Sequence, residues 1–209
     1  MTPASGLLHG ALRLVRNLLL DLRFGGFLGG SLKTSHAALG AYDVSNSDYL
    51  ALSYLFADRV LPTDQLVDLG CGKGRVLNWW LSRGWRNRMV GVELDQRVAE
   101  RARARLRRFP NVQIIAGDAV EHLPDEGTVF YMFNPFDARV MTRLRDKLER
   151  AKPPDRRLII VYYNCVHIDV FERSSHWLVE RIALPDLRLH PAAIVTRVPP
   201  TADSPQRRA

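Results

Sequence analysis

The sequence has few cysteines, few lysines and no long apolar run, and these shortages exclude several classes of protein. Its 209 residues contain two cysteines, Cys71 and Cys165, which are too few for a disulfide framework and lack the spacing of metal ligands. The most apolar stretch, residues 7–22, is interrupted by three charged side chains, whereas a membrane span needs about 20 mostly apolar residues. It also lacks the apolar core of a signal peptide. We therefore expect a soluble protein of the reducing cytoplasm, with no metal centre and no transmembrane segment.

Arginine dominates the charged residues. Lysine and arginine together number 30, of which four are lysine, against 22 acidic residues, and the net charge is +8. A positive balance suits an anionic partner such as nucleic acid or an acidic membrane surface. The basic residues also alternate with acidic ones along predicted helices, which is typical of solvated helix faces. Charge alone therefore does not identify a partner.

The N-terminal region, residues 1–48, is predicted to be a helix followed by a glycine-rich hinge or lid. Glycines at 25, 26, 29 and 30 mark the hinge. Apolar residues before it repeat at spacings of three and four, which predicts one amphipathic stripe: Leu8, Leu12, Val15, Leu19 and Leu22. We expect this stripe to pack across the protein's own domain. A weak contact with a membrane surface through residues 7–23 is the alternative.

Residues 49–198 alternate between short apolar runs and helical periods, and residues 199–209 are predicted to be a disordered tail. Apolar strands that alternate with helices indicate a mostly parallel sheet covered on both faces. The last two strands have no long helix between them, so we expect them to pair antiparallel at one edge. The fold class predicted is therefore α/β, a doubly wound, mostly parallel seven-stranded sheet with an antiparallel edge hairpin and an N-terminal helical segment. The strands predicted are Gln65–Leu69, Met89–Leu94, Val112–Ala116, Thr128–Phe133, Leu158–Tyr163, Trp177–Leu184 and Ala192–Val198.

The most informative segment joins the first predicted strand to a helix. Three glycines, Gly70, Gly72 and Gly74, stand at alternate positions, where they permit a tight turn and let a ligand touch the main chain. A dinucleotide fingerprint needs a further glycine where this sequence has Arg75. Asp68 would place a carboxylate near a pyrophosphate, but it suits a ligand that carries an ammonium group. The loop therefore predicts a nucleoside-like ligand that is not anionic.

Two more acidic residues follow the next two predicted strands. Glu93 lies nineteen residues after Gly74, and a carboxylate about 20 residues past such a loop is placed to bind both hydroxyls of a ribose. Asp118 follows the third strand, where its carboxylate can accept a hydrogen bond from the exocyclic amine of adenine. Three neighbouring strands would thus end in acids suited to an amino acid, a ribose and a base.

This pattern resembles the class I S-adenosylmethionine-dependent methyltransferases, which have a seven-stranded, Rossmann-like fold. The resemblance covers about residues 50–198 and is carried by VDLGCGKGRVL at 67–77, GVELD at 91–95, GDA at 117–119 and VFYMFNPF at 129–136. It implies S-adenosylmethionine as cofactor and S-adenosylhomocysteine as product. It also implies a set of cofactor-binding residues: Asp68, Gly70, Cys71, Gly72, Gly74, Glu93, Leu94, Asp118 and Ala119. Cys71 is interpreted as a small loop residue rather than a nucleophile.

The end of the fourth strand, Asn134-Pro135-Phe136, is the predicted catalytic segment. It resembles the (Asp/Asn)-Pro-Pro-aromatic motif of methyltransferases that modify planar amines in DNA, RNA or glutamine side chains. The resemblance implies that the Asn134 side-chain carbonyl accepts a hydrogen bond from the acceptor amine and that Phe136 stacks on the acceptor. One proline stands here instead of two, which leaves the acceptor open. An ordinary strand-ending turn is the alternative.

The function predicted is N-methylation of an amine acceptor on a protein side chain or a nucleic acid. Two alternatives are a small-molecule or lipid-associated acceptor, and a protein that binds S-adenosylmethionine without catalysis. The methyl acceptor is therefore unknown among protein, nucleic acid and small molecule. The histidines are scattered and interpreted as surface or capping residues, with His167 and His176 kept as weak candidates for acceptor contact.

Overall fold

The computed structural model describes residues 14–30, 46–151, 156–185 and 189–199. Most of the predicted lid, the first part of the predicted apolar stripe and nearly all of the predicted tail lie outside the described residues. The rest of the chain forms six helices and seven strands.

The seven strands form one sheet in the order β3-β2-β1-β4-β5-β7-β6. The first five pair in parallel, and β7 runs antiparallel to both β5 and β6. This confirms the predicted fold class, and each strand ends within two residues of its prediction. The strands are β1 (Leu66–Leu69), β2 (Met89–Glu93), β3 (Val112–Ala116), β4 (Val129–Phe133), β5 (Ile159–Tyr163), β6 (Trp177–Ile182) and β7 (Ala192–Arg197).

Helices cover both faces of this sheet because the central strands are apolar on both sides. One face packs against α2, α3 and α4, where Ala102 and Leu106 of α4 are buried. The other face packs against α5 and α6, where Val140, Leu144 and Leu148 are buried. The helices are α1 (residues 14–23), α2 (Tyr49–Leu55), α3 (Arg75–Ser82), α4 (Gln96–Leu106), α5 (Ala138–Ala151) and α6 (Asp169–Glu172). Within the described ranges, every helix is too short or too polar to span a lipid bilayer.

The order of the strands places a crevice between the carboxyl ends of β1 and β4. The chain runs outward from β1 through β2 to β3, and then returns to the other side of β1 to form β4. Helices that follow β1 and β4 therefore lie on opposite faces of the sheet, and the strand ends between them stay open to a ligand. The predicted site residues all lie in the last residues of these strands or shortly after them.

Helix α1 is oriented against the prediction made from its apolar stripe. Its buried residues include Asn17 and Asp21, whereas Val15, Leu19 and Leu22 are each more than half exposed. The expectation that this stripe packs across the domain is therefore wrong for its described residues. The reason lies in the polar contacts of Asp21.

Asp21 ties α1 to the beginning of α3. Its carboxylate is fully buried, forms an ion pair with Arg75 and accepts a hydrogen bond of 2.6 Å from the Tyr49 hydroxyl. Lys73 adds hydrogen bonds of 2.8 and 3.0 Å from Nζ to the carbonyls of residues 29 and 30. A buried carboxylate needs such partners because desolvation penalises its charge. Arg75, which breaks the dinucleotide fingerprint, thus holds the N-terminal segment against the glycine loop.

We predict that Asp21→Ala lowers the free energy of unfolding by about 3 kcal/mol, because it leaves the Arg75 guanidinium without its buried partner. Urea unfolding of the purified protein measures this change. The matched control is Glu126→Ala, which removes the partner of Arg88 from a pair that is more than half exposed on both sides. It should cost less than about 1 kcal/mol. Equal losses in the two variants would show that the Asp21 pair does not anchor α1.

Candidate functional site

The glycine loop, residues 70–74, turns sharply between β1 and α3. Gly70 has φ of +77°, a left-handed conformation that disfavours side chains. A Cβ at Gly70 would also lie 2.9 Å from Cβ of Pro135, which is too close for a real contact. The backbone amides of Gly70 and Cys71 both donate to the Val92 carbonyl at 2.9 Å. The loop is therefore fixed to β2 and lies directly against the end of β4.

Asp68 occupies the centre of the site, on β1 two residues before Gly70. Its side chain is 2 % exposed, and its Oδ2 atom has no hydrogen-bond partner among the residues that the structure describes. Burial, with a smaller contribution from the nearby Glu93 charge, raises the pKa of Asp68 well above its usual range. A buried polar atom without a partner costs free energy. A ligand ammonium would supply the missing donor and a compensating charge, so this observation fits the predicted role of Asp68.

Glu93 lies at the end of β2 and faces the same loop. Its Oε2 accepts from the Gly72 amide at 2.8 Å, and its Oε1 accepts from the Asp95 amide at 2.9 Å. Burial raises the pKa of Glu93, and these two amides oppose the shift. Each carboxylate oxygen can accept a further hydrogen bond, which is what a pair of ribose hydroxyls requires. Leu94 follows Glu93 and is half-buried.

Cys71 is a buried thiol rather than a nucleophile. Burial, followed by the charges of Asp68 and Glu93, raises the pKa of its thiol well above the usual range, and a protonated thiol is a weak nucleophile. A Cβ at Gly91 would come within 2.7 Å of the Cys71 Sγ. Gly91 therefore makes room for Cys71 in the sheet, a role that sequence reasoning missed although a glycine inside an apolar strand signals a close approach.

Asp118 follows β3 and shapes the next turn. Its Oδ1 accepts from the amides of Val120 at 2.7 Å and Glu121 at 3.1 Å. Ala119 is buried in the core beneath this turn. The Gly117 amide donates to the Glu93 carbonyl at 2.8 Å, so the turn lies beside Glu93, as the predicted adenine site requires. The Oδ2 atom of Asp118 is the oxygen that would accept from an adenine amine in the predicted site.

Asn134 adopts the left-handed conformation at the carboxyl end of β4, with φ of +39°. Its Oδ1 accepts a hydrogen bond of 3.0 Å from the Tyr162 hydroxyl, and that hydroxyl in turn accepts from the His167 amide at 3.2 Å. Pro135 packs on Gly70. The structure thus brings Asn134 and Pro135 beside the glycine loop and fixes the orientation of the Asn134 side chain.

Phe136 is placed differently from its neighbours. Its ring is 9 % exposed and belongs to the core beneath α5, so little of it faces the crevice. The aromatic surface at the same edge comes instead from Phe133, whose ring centre lies 4.7 Å from that of Tyr163 and 5.3 Å from that of His190. His190 was interpreted as a surface or capping residue, and only the antiparallel return of β7 brings it to this edge. His176 precedes β6 at the opposite edge of the sheet, so it lies away from this site.

The histidine, cysteine and carboxylate side chains do not form a metal centre in the described part of the chain, where no group of three or more could hold an ion. Their arrangement is instead that of three carboxylates around a glycine loop. Residues 66–152 match the family described as methyltransferase domain.

The seven-stranded sheet around these residues has the class I methyltransferase fold.

Domains of this class take S-adenosylmethionine as methyl donor. The matched residues include every predicted site residue from Asp68 to Phe136.

Solved structures share this fold at low sequence identity. An RNA methyltransferase from Salinibacter ruber in complex with S-adenosyl-L-homocysteine is 22 % identical, with a TM-score of 0.54 over 78 % of this chain and 97 % of that chain. The cofactor-bound Rv0187 protein from MTB is 16 % identical, with a TM-score of 0.59 over 90 % of both chains. The mitomycin 7-O-methyltransferase MmcR is 20 % identical, with a TM-score of 0.54 over 71 % of this chain and 54 % of that chain. No curated protein matches the sequence.

We predict that cofactor binding releases a proton from Asp68, because an ammonium beside Oδ2 favours the ionised carboxylate. Since the pKa of Asp68 is raised in the free protein, affinity should increase as the pH rises through that pKa. Calorimetry with S-adenosylhomocysteine in two buffers of different ionisation enthalpy measures the proton count.

Asp68→Asn should abolish this proton release and lower the affinity at least about tenfold. The control is Glu126→Gln, an exposed carboxylate that precedes the amino end of β4, which should behave as the wild type. If Asp68→Asn released as many protons as the wild type, the ammonium would not bind at Asp68.

Proposed function

We propose that this methyltransferase acts on an amine nitrogen, on a protein side chain or a nucleic acid base. The observation that carries the proposal is the Asn134 side-chain carbonyl, which Tyr162 holds at the end of β4 beside the glycine loop. An acceptor amine placed there would be close to the methyl group of a donor bound along the loop.

The donor half of the site would be held by the residues around the loop. Asp68 would bind the ammonium of the methionine part, Glu93 the ribose hydroxyls, and Asp118 with Ala119 the adenine. The main chain of Gly70, Cys71, Gly72 and Gly74 would line the methionine part, with Leu94 beside the ribose. When bound, the donor supplies a methyl group on a sulfonium, whose carbon–sulfur bond breaks with its electron pair remaining on sulfur as the acceptor nitrogen forms the new bond.

The acceptor half needs orientation more than acid–base chemistry, since a sulfonium is already a good leaving group. The Asn134 Oδ1 atom would accept a hydrogen bond from the amine and so aim the nitrogen lone pair at the methyl carbon. The same oxygen would stabilise the positive charge that develops on nitrogen before its proton leaves to water. Tyr162 acts as a positioning residue, because its hydroxyl fixes the Asn134 amide. Phe133 and His190 offer aromatic surface on which a planar acceptor could stack.

A lipid-associated acceptor is the second candidate, and the exposed apolar face of α1 favours it. The fold does not distinguish between these acceptors, because structures with this fold include both an RNA methyltransferase and a mitomycin O-methyltransferase.

Transfer of radiolabelled methyl groups to a cell extract, divided afterwards into protein, RNA, DNA and lipid, identifies the acceptor class. Label in protein, RNA or DNA on nitrogen supports the proposal. Label in lipid alone favours the second candidate.

We predict that Asn134→Gly lowers kcat by about a hundredfold or more with the affinity for S-adenosylhomocysteine unchanged, because it removes the orienting carbonyl. Glycine suits the left-handed conformation of this position, so a residue that only shaped the turn would tolerate the change. Asn134→Asp keeps an acceptor oxygen and should retain most of the activity. The rate of methyl transfer to the acceptor fraction under single-turnover conditions distinguishes a residue that orients the acceptor amine from one that only shapes the turn. Full activity in Asn134→Gly would remove Asn134 from the proposed mechanism.

A further inference from the structure

Helix α1 exposes the apolar side of its surface and buries the polar side. Five large apolar residues are exposed along ten residues of helix, and Leu19, at 63 % exposure, is typical of them: Leu14, Val15, Leu18, Leu19 and Leu22. At 3.6 residues per turn these five form one continuous arc, about 140° wide. Soluble helices normally turn such an arc toward the core. The arc of α1 faces outward, which indicates that something else covers it.

The orientation of α1 is fixed by its buried side. Asp21 is held by Arg75 and Tyr49, and the Arg105 guanidinium donates to the Phe24 carbonyl at 2.9 Å. A rotation of α1 that buried the leucines would break these contacts. The outward apolar arc is therefore a stable feature of the fold, because the ion pair that holds it is buried.

Arginines border the apolar arc. Arg16 and Arg23 project next to it, and together with Arg83 they line a groove of about 350 Å³ whose wall includes Leu20 and Trp79. No acidic residue is among the described residues that line this groove. Among the described residues, α1 and α3 carry no exposed carboxylate, since the one acid of α1, Asp21, is buried. The surface is thus an apolar arc beside a cationic groove.

We propose that α1 docks this protein on an anionic lipid bilayer. The leucines of the arc insert between the acyl chains at the level of the headgroups, and Arg16, Arg23 and Arg83 bind headgroup phosphates. This combination of an apolar arc with cationic side chains along its border is what an interfacial helix requires. Each arginine near an anionic surface strengthens binding about fivefold.

Two other occupants suit the same surface less well. A second copy of this chain related by a two-fold axis would bring two sets of Arg16, Arg23 and Arg83 together with no carboxylate from α1 or α3 between them. A nucleic acid would satisfy the arginines but would set phosphates beside exposed leucines, whereas bases bind best on aromatic and polar surfaces. A bilayer satisfies both parts of the surface at once.

The apolar arc and the cationic groove beside it are joined to the glycine loop through the contacts of α1. The side of α1 opposite the leucines contacts Arg75, and Lys73 holds the segment that follows α1. A docked helix would therefore hold the crevice at a fixed distance from the headgroups. The inference stands whichever acceptor the enzyme uses, because it rests on α1 and α3 alone.

Flotation of the full-length protein with vesicles tests the proposal. We expect binding to vesicles of phosphatidylcholine mixed with phosphatidylglycerol, much weaker binding to phosphatidylcholine alone, and a decrease as salt is added. Arg16→Gln combined with Arg23→Gln should weaken binding to the anionic vesicles by about 25-fold. Arg150→Gln, an exposed arginine on α5, is the matched control and should bind as the wild type.

Leu19→Gln combined with Leu22→Gln should weaken binding by more than about tenfold, with the affinity for S-adenosylhomocysteine unchanged. Leu178→Gln is the matched control, since Leu178 is equally exposed at 65 % but lies on β6 at the far edge of the sheet. Absence of binding to anionic vesicles, or binding that the Leu19/Leu22 variant retains, would overturn the proposal. So would equal binding to both kinds of vesicle, a concentration-dependent dimer that the Leu19/Leu22 variant abolishes, or RNA binding through the same residues without vesicle binding.

Discussion

A carboxylate at the centre of the sheet, buried with one oxygen unpaired, is the constraint on which the site depends. Asp68 lies on β1, between β2 and β4, where helices on both faces exclude water. Within the described part of the chain, no donor offsets the desolvation of its Oδ2 atom. Such an arrangement persists where a ligand supplies the missing charge and donor. A cationic amino group supplies both, whereas the negative charge of a pyrophosphate would repel the Asp68 carboxylate.

The two halves of the site meet because Gly70 has no side chain. Its missing Cβ lets Pro135 approach the loop, which places Asn134 beside the part of the crevice where the methionine portion of the donor would lie. The loop is held from the other side by Arg75 and Lys73, whose partners belong to the N-terminal segment. The loop therefore lies between the carboxyl end of β4 and helix α1. A small movement of either element would displace the loop that is proposed to bind the cofactor.

Local patterns predicted the sheet and the carboxylates that the structure brings together around the glycine loop, whereas long-range pairing decided the rest. Apolar runs bounded by turns located all seven strands, and Asp95 caps α4 by accepting hydrogen bonds from the amides of Arg97 and Val98. The orientation of α1 could not be predicted, because a helical period identifies a stripe but not what covers it. Asp21 is buried because of Arg75, which is 54 positions away. His190 likewise reaches the crevice only through the antiparallel return of β7, which no spacing in the sequence reveals.

The central claim is that the Asp68 carboxylate, the glycine loop and Glu93 together bind the methyl donor. A crystal structure of the protein in complex with S-adenosylhomocysteine tests it most directly. We expect the amino group of the ligand within hydrogen-bond distance of the Asp68 Oδ2, its ribose hydroxyls on the Glu93 carboxylate, and its sulfur beside Gly70 and Asn134. A ligand bound outside this crevice, or one that leaves the Asp68 Oδ2 unpaired, would contradict the assignment.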